Sequence, residues 1–310
     1  FAKLEVGKTR YGLMLREDGI AKDDGTAARL AEDHFVVTTT TANALPVYRH
    51  MEFVRQCLFP DMDVQLISTT EAWAQYAVAG PNSRRVLKKI VDQDISNEAF
   101  PFMACANITV CGGLRARLFR ISFSGELAYE IAVPTAYGDA LIRKIMEAGA
   151  EYDITPYGTE ALGVMRIEKG HAAGNELNGT TTSQNLGMGR MVSKKKDSIG
   201  SILSEREGLN RDDDLRQVGI KPVDPKASVP AGSHLMSLTG PVDAAHDQGY
   251  VTSACYSPCL GHAIALGFLK NGSARMGERM RLVSPLTKVE TEVEIVSPHF
   301  IDPEGERLRA

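Results

Sequence analysis

The stretch "ANITVCGGLRARLFRISFSGELAYEIAVP", residues 106–134, decides how the chain folds. It holds three apolar, strand-like runs, broken at Cys111-Gly112-Gly113 and at Ser124-Gly125-Glu126. Breaks this short fit hairpins and leave no room for a crossover helix, so the runs read as an antiparallel meander. Residues 11–15 and 35–40 read as further strands, and "VQLISTTEAWAQYAVAG" as two short ones. Between them, residues 43–56 read as a helix with Asn43 as N-cap and Leu45, Tyr48, Val54 and Leu58 inward. Pro81 opens a basic helix, "PNSRRVLKKIV", where its missing N–H costs nothing. Helical patterns follow at 137–148 and 158–168. Helices interleaved with hairpins, rather than βαβ units, define an α+β class with antiparallel sheets.

The character changes near residue 205. "SEREGLNRDDDLRQVGI" is the most charged stretch and reads as a linker running into a strand. Short β-runs with Gly and Pro turns come next: "GSHLMSL", "DQGYVTSACYSP", "GHAIALGFL", "MRLVSP" and "TEVEIVSPHF". Regular spacing of short strands predicts a small antiparallel barrel or sandwich. The expected division is therefore 1–205, an α+β region, and 206–310, a β-barrel domain.

The bulk numbers exclude more than they assign. The chain has 310 residues, 24% charged, with a net charge of −4 and only one run of lysines, 194–196. That balance argues against a nucleic-acid surface or an anionic membrane. No apolar run approaches a membrane span, and no signal peptide is expected. The five cysteines have no C-x-x-C pair, so reduced thiols, a cytoplasmic protein and no metal site are expected. Neither a Gly-rich phosphate loop nor a G-x-S-x-G or H-E-x-x-H motif appears.

Three polar features remain. In "GLMLREDGIAKDDGTAARL", residues 12–30, Asp23 and Asp24 sit side by side in what reads as a hairpin turn. In "FSGELAYE", Glu130 follows Tyr129 inside an otherwise apolar strand, where a carboxylate is costly unless paired or exposed. In "MRIEKGH", Arg166 and Glu168 close a helix that Gly170 stops, an arrangement that also fits a local ion pair.

"LREDGIAKDDG", "FSGELAYEI", "MRIEKG" and "SACYSPCLGHAIALGFL" occur in the order and spacing of the glycine-cleavage T-protein (aminomethyltransferase) family, which the chain resembles over its whole length. That family includes the folate-binding portions of dimethylglycine oxidase and sarcosine oxidase. "RIEKGHAAGNELNGTTTSQNLGMGRMVSKKKD" and "SPHFIDPEGERLRA" resemble most the C-terminal part of the α subunit of heterotetrameric sarcosine oxidases. The resemblance implies a T-protein-like folate-binding domain followed by a C-terminal barrel. It also implies that the N-terminal part of the fold is missing, since the family's unit begins some way earlier.

The resemblance implies tetrahydrofolate as cofactor and one-carbon transfer from an amine donor, forming 5,10-methylenetetrahydrofolate. Asp23 aligns with the family's catalytic aspartate, with Asp24 left as the turn residue. Glu130 aligns with its pterin-binding glutamate; a carboxylate accepts the ring N–H and exocyclic NH₂ of a pterin together. Phe123 replaces a tyrosine that stacks near the pterin, keeping the ring but not the hydroxyl. Tyr11, Tyr129 and Arg166 are further candidates for the folate site. An Arg-Asp pair four residues before the position of Arg166 is replaced by Leu162 and Gly163, and a family Asn by Thr38. The first change favours the oxidase branch, in which the one-carbon unit comes as an imine from sarcosine. The implied partners are the other sarcosine oxidase subunits, including a flavin-bearing β subunit, with FAD/FMN and NAD only in other parts of the complex. An aminomethyltransferase, a dimethylglycine oxidase module and a non-catalytic folate-binding protein are the alternatives. The binding branch with a "KGCYxGQE"-like motif fits poorly, because His171 stands where its Cys would be.

Overall fold

The computed structural model describes residues 1 and 3–310. The chain opens with strands β1 (Thr9–Leu15), β2 (Ala21–Arg29) and β3 (Phe35–Val37), which form a three-stranded sheet in that order. The turn between β1 and β2 is built by Arg16–Ile20 and comes before the acidic pair altogether. Gly19 supplies a φ of +88°, its N–H donates to Arg16 O at 3.0 Å, and Asp18 Oδ1 accepts the Ile20 N–H at 3.1 Å. Asp23 and Asp24 therefore stand inside β2. Gly25, which made "DDG" look like a turn, serves strand approach instead: a Cβ there would lie 2.0 Å from Thr38 O.

Helix α1 (Ala44–Phe53) runs into a π-helical turn, Val54–Leu58. The inward face read from the sequence is corrected. Val47 is the residue that α1 buries, while Leu45 and Leu58 are more than half exposed. Strand β4 (Trp73–Ala79) is the only strand formed by "VQLISTTEAWAQYAVAG"; its first half is irregular and pairs in no ladder. Helix α2 is short, Ser83–Leu87. The meander then appears as β5 (Cys105–Val110), β6 (Leu114–Phe119) and β7 (Ala128–Pro134), in a sheet ordered β4-β7-β6-β5. Helix α3 (Gly138–Gly149) covers one face of it. Beneath α2 and α3 lie Val78, Leu118, Tyr129, Ile131 and Val133, part of one continuous core.

Helix α4 (Thr159–Lys169) is closed by Gly170 at φ +83°. The remaining strands are β8 (Leu215–Pro222), β9 (His234–Met236), β10 (Gly249–Ser257), β11 (His262–Lys270), β12 (Arg279–Ser284) and β13 (Val289–Val296). They close into a barrel, β10-β11-β8-β13-β12-β9. Closure leaves no unpaired edge, and alternate residues such as Val218, Ile220, Leu235, Leu282 and Val293 fill the interior. The last element is a single helical turn, α5 (Glu306–Arg309).

These elements form two compact units. The first comprises residues 1–12, 23–157 and 305–310; the second, 13–22 and 158–304. Within the first, the two sheets meet through Ala28, Cys105, Phe119 and Ile121, with Leu30, Val36 and Met103 packed around them. Among the described residues, no helix is long and apolar enough to cross a membrane.

Candidate functional site

Strand alternation sorts the candidates of the meander at once. Tyr129 and Glu130 are neighbours on β7, so their side chains leave opposite faces of the sheet. Tyr129 is fully buried, its ring is stacked on Phe100 at 6.4 Å between centroids, and its hydroxyl accepts Arg84 Nε at 2.8 Å. It is a core residue beneath the helices, and nothing is left of its side chain to meet a ligand.

Glu130 points the other way. It pairs across the ladder with Phe119 on one side and Ala77 on the other. It is half-buried, and its carboxylate accepts the amide of Gln75. Loss of water is the cause that raises its pKa, to about 7. A carboxyl placed there for structure would be matched to Lys or Arg. Glu130 has a neutral amide instead, so its capacity to accept a charged or doubly donating group is unspent. Tyr157 is its further neighbour: burial first, then the Glu130 charge, raise the Tyr157 hydroxyl. Neither Gln75 nor Tyr157 was marked by the sequence, since each reaches Glu130 from an element distant along the chain.

Phe123 sits in the bend leading to β7 and is 40% exposed. The bend is held locally, Ser122 Oγ accepting the Gly125 N–H at 3.0 Å and Ser124 Oγ accepting the Glu126 N–H at 3.4 Å. An accessible ring on an ordered bend is suited to stacking against a flat ligand.

On β2 the acidic pair splits. Asp23 is fully buried, Oδ2 accepting the Thr40 N–H at 3.0 Å and Oδ1 the Asn43 amide at 3.3 Å. It ties the strand to the chain entering α1. Asp24 accepts the Tyr11 hydroxyl at 2.5 Å. Burial raises the Asp24 pKa, the Tyr11 bond opposes that, and the neighbouring Asp23 adds to it. The Tyr11 hydroxyl is pushed far up, by burial first and then by Asp24. Alternation puts Asp24 on the side of Ala28, two pairs along. Ala28 packs with Phe119, the direct ladder partner of Glu130. The carboxyl that shares a face with the contact to the meander is thus Asp24. The sequence reading puts both carboxyls in a turn, with Asp24 as the turn residue; that placement is corrected, since both stand within β2.

Arg166 lies in the second unit. Its Nη1 donates to Glu176 Oε2 at 2.9 Å and its Nη2 to Ser253 Oγ at 2.7 Å. Glu176 is fully buried and also accepts Thr252 and Ser253 hydroxyls at 2.5 and 2.7 Å. Glu168, also buried, accepts Ser257 Oγ at 2.5 Å. The helix end of α4 is therefore joined to β10 by a hydrogen-bonded network. The partner of Arg166 is Glu176 and not the nearby Glu168. Two cavities, of about 250 and 650 Å³, also lie in this unit; one is lined by His246, Gln248 and Lys270, the other by Cys255, Tyr256 and Ala263. Neither touches the carboxyls on β2 or β7.

Comparison with known proteins agrees with this architecture. Residues 1–196 match the model of the GCVT N-terminal domain, and residues 216–302 that of the glycine cleavage T-protein C-terminal barrel domain. The chain is 50% identical to the sarcosine oxidase subunit alpha of Rhizobium meliloti (strain 1021), over 99% of its own length and 31% of that protein. It spans about a third of the length of such subunits, a second, from Corynebacterium sp. (strain P-1), being 42% identical over 32% of its length. An aminomethyltransferase of Geobacillus sp. (strain WCH70) is 29% identical, matched over 100% of this chain and 76% of that one. The solved aminomethyltransferase T of the glycine cleavage system from Bartonella henselae superposes with a TM-score of 0.80 at 22% identity, covering 97% of this chain and 78% of that one. At that identity the likeness speaks for the fold, and the matched domains speak for descent: this chain belongs to the glycine-cleavage T-protein family.

Proposed function

We propose that the chain binds reduced folate at the Glu130 face of the meander and serves in tetrahydrofolate-dependent one-carbon transfer. The observation that carries this reading is Glu130 itself. A half-buried carboxyl with only a neutral amide partner, raised to about 7 by desolvation, fits a ligand edge that presents two parallel N–H donors. A pterin ring presents such an edge. Phe123 supplies an accessible aromatic surface beside the same strand.

Bound tetrahydrofolate would supply the nucleophilic nitrogen that takes the one-carbon unit. The chain's own residues do the rest. Glu130 orients the ring through two accepted bonds. Asp24, bonded to Tyr11, holds or takes up a proton near the transfer, and its negative charge favours positive character developing on the carbon. Asp23 is a fixed anchor for the Thr40–Asn43 segment and a second negative charge behind Asp24.

The donor we favour is the imine released by sarcosine oxidation in a cytoplasmic complex with a flavin-bearing β subunit. The high identity to sarcosine oxidase α subunits supports that choice over a glycine-cleavage role. The replacement of the Arg-Asp pair by Leu162 and Gly163 agrees with it.

Isothermal titration of tetrahydrofolate into the chain under anaerobic conditions tests the reading, with Glu130→Ala alongside. Binding by the parent that the variant loses is expected. A folded parent that takes up no folate overturns it.

A further inference from the structure

The end of the chain returns to the meander. Residues 305–310 belong to the first unit, where Leu308 is buried and the Arg309 guanidinium lies 6.0 Å over the Phe102 ring. Arg120, just beyond β6, is fully buried. Its Nη1 donates to Asn97 Oδ1 at 2.6 Å and to Phe100 O at 2.9 Å. Its Nη2 donates to the backbone oxygens of Arg309 at 3.0 Å and Ala310 at 2.7 Å. Arg84 bridges the same Ala310 oxygen, at 2.7 Å, to the Tyr129 hydroxyl, at 2.8 Å. Arg307 forms an ion pair with Glu126 at 2.8 Å.

Two of these contacts reach the elements that carry the proposed ligand groups. Tyr129 lies on β7, on the face opposite Glu130, and Glu126 lies in the bend that carries Phe123. The buried clamp fixes where the terminal segment lies. The exposed pair then connects that fixed segment to the bend.

We infer that the segment 305–310 is a positioning latch for the folate site: Arg120 and Arg84 seat it, and Arg307 holds the Phe123 bend through Glu126. The inference rests on the folate reading above. Arg307 acts at a distance from any ligand, by limiting the positions open to the Phe123 ring. A ring free to wander loses the stacking geometry on which its contact depends.

The test is a charge swap in the whole chain: Arg307→Glu, Glu126→Arg, and the two together. Tetrahydrofolate affinity and melting temperature are read for each, with hydrogen exchange over residues 122–127. Each single variant should weaken binding about tenfold and speed exchange in the bend. The melting temperature should hold, because an exposed ion pair adds little stability. The double variant should restore both affinity and protection. A parent that binds, with single variants that bind equally well, overturns the latch and leaves the folate reading standing. Single variants that melt early, or a double variant that restores nothing, also overturn it, by making the pair an ordinary element of the fold. A folded parent without affinity for folate removes the reading and the latch together.

Discussion

Asp24 accepts the Tyr11 hydroxyl at 2.5 Å, while Asp23, one residue before it, turns away to Thr40 and Asn43. Adjacent carboxyls in one strand thus have separate tasks. Asp24→Asn keeps an oxygen for Tyr11 and should leave the fold intact. It should lower one-carbon transfer by about 100-fold, the usual range for a lost proton-handling group. Asp23→Asn turns an amide toward donors that now meet an oxygen. It should cost about 1–3 kcal/mol of stability. Transfer assays with urea unfolding of both variants check the split. A transfer defect confined to Asp23→Asn, with its stability unchanged, would reverse the assignment.

Phe123 is expected to contribute through its ring face. An aromatic contact of this kind is worth about 0.5–1.5 kcal/mol beyond area burial, so Phe123→Leu should weaken folate binding up to about tenfold. Phe123→Tyr keeps the face and should bind as the parent does. Titration of both variants, at equal melting temperature, separates stacking from simple bulk.

The barrel was legible because its strands alternate: Val293 and Ile295 point inward with the polar Glu294 between them, and Val218 and Ile220 point inward on either side of Gly219. The meander was legible for the same reason. The acidic turn was misplaced because two glycine-containing segments, "EDG" and "DDG", lie six residues apart, and composition does not tell a left-handed glycine such as Gly19 from one that clears space for a neighbouring strand, as Gly25 does. Alternation within "LAYEI" already separates Tyr129 from Glu130, and the resemblance to a family obscured that. The spacing of apolar residues in α1 predicts a buried face, but amphipathic spacing does not fix which side has a neighbour. Gln75 and Tyr157 join Glu130 only through pairing between strands and packing, which no local pattern carries.

The network around Arg166 makes a prediction in the second unit. Glu176 is fully buried and accepts from Arg166, the Ala173 N–H, Thr252 and Ser253. Glu176→Gln leaves the Arg166 guanidinium, itself 11% exposed, without its counter-charge. Breaking one side of a buried pair costs about 3–5 kcal/mol. The urea midpoint of the variant should fall accordingly, and folate affinity measured well below that midpoint should change little. A variant as stable as the parent would mean that the pair contributes nothing net.

Glu130 sets the pH dependence. Its carboxyl is raised from 4.5 to about 7 in the folded chain, so between those values the folded state binds more protons than the unfolded one. Stability is therefore highest at low pH with respect to this group and falls as pH rises through that window, by up to about 3 kcal/mol. Ligand binding has the opposite sign. A pterin edge donating two bonds favours the carboxylate, so binding below pH 7 releases a proton. Affinity should rise about tenfold per pH unit up to about 7 and level off above it. Glu130→Gln should flatten both profiles, gaining stability at pH 8 while losing affinity there. Titrations in two buffers of different ionisation enthalpy count the released proton directly. Affinity that is flat in the parent from pH 5 to 8 would place the carboxyl outside the binding event.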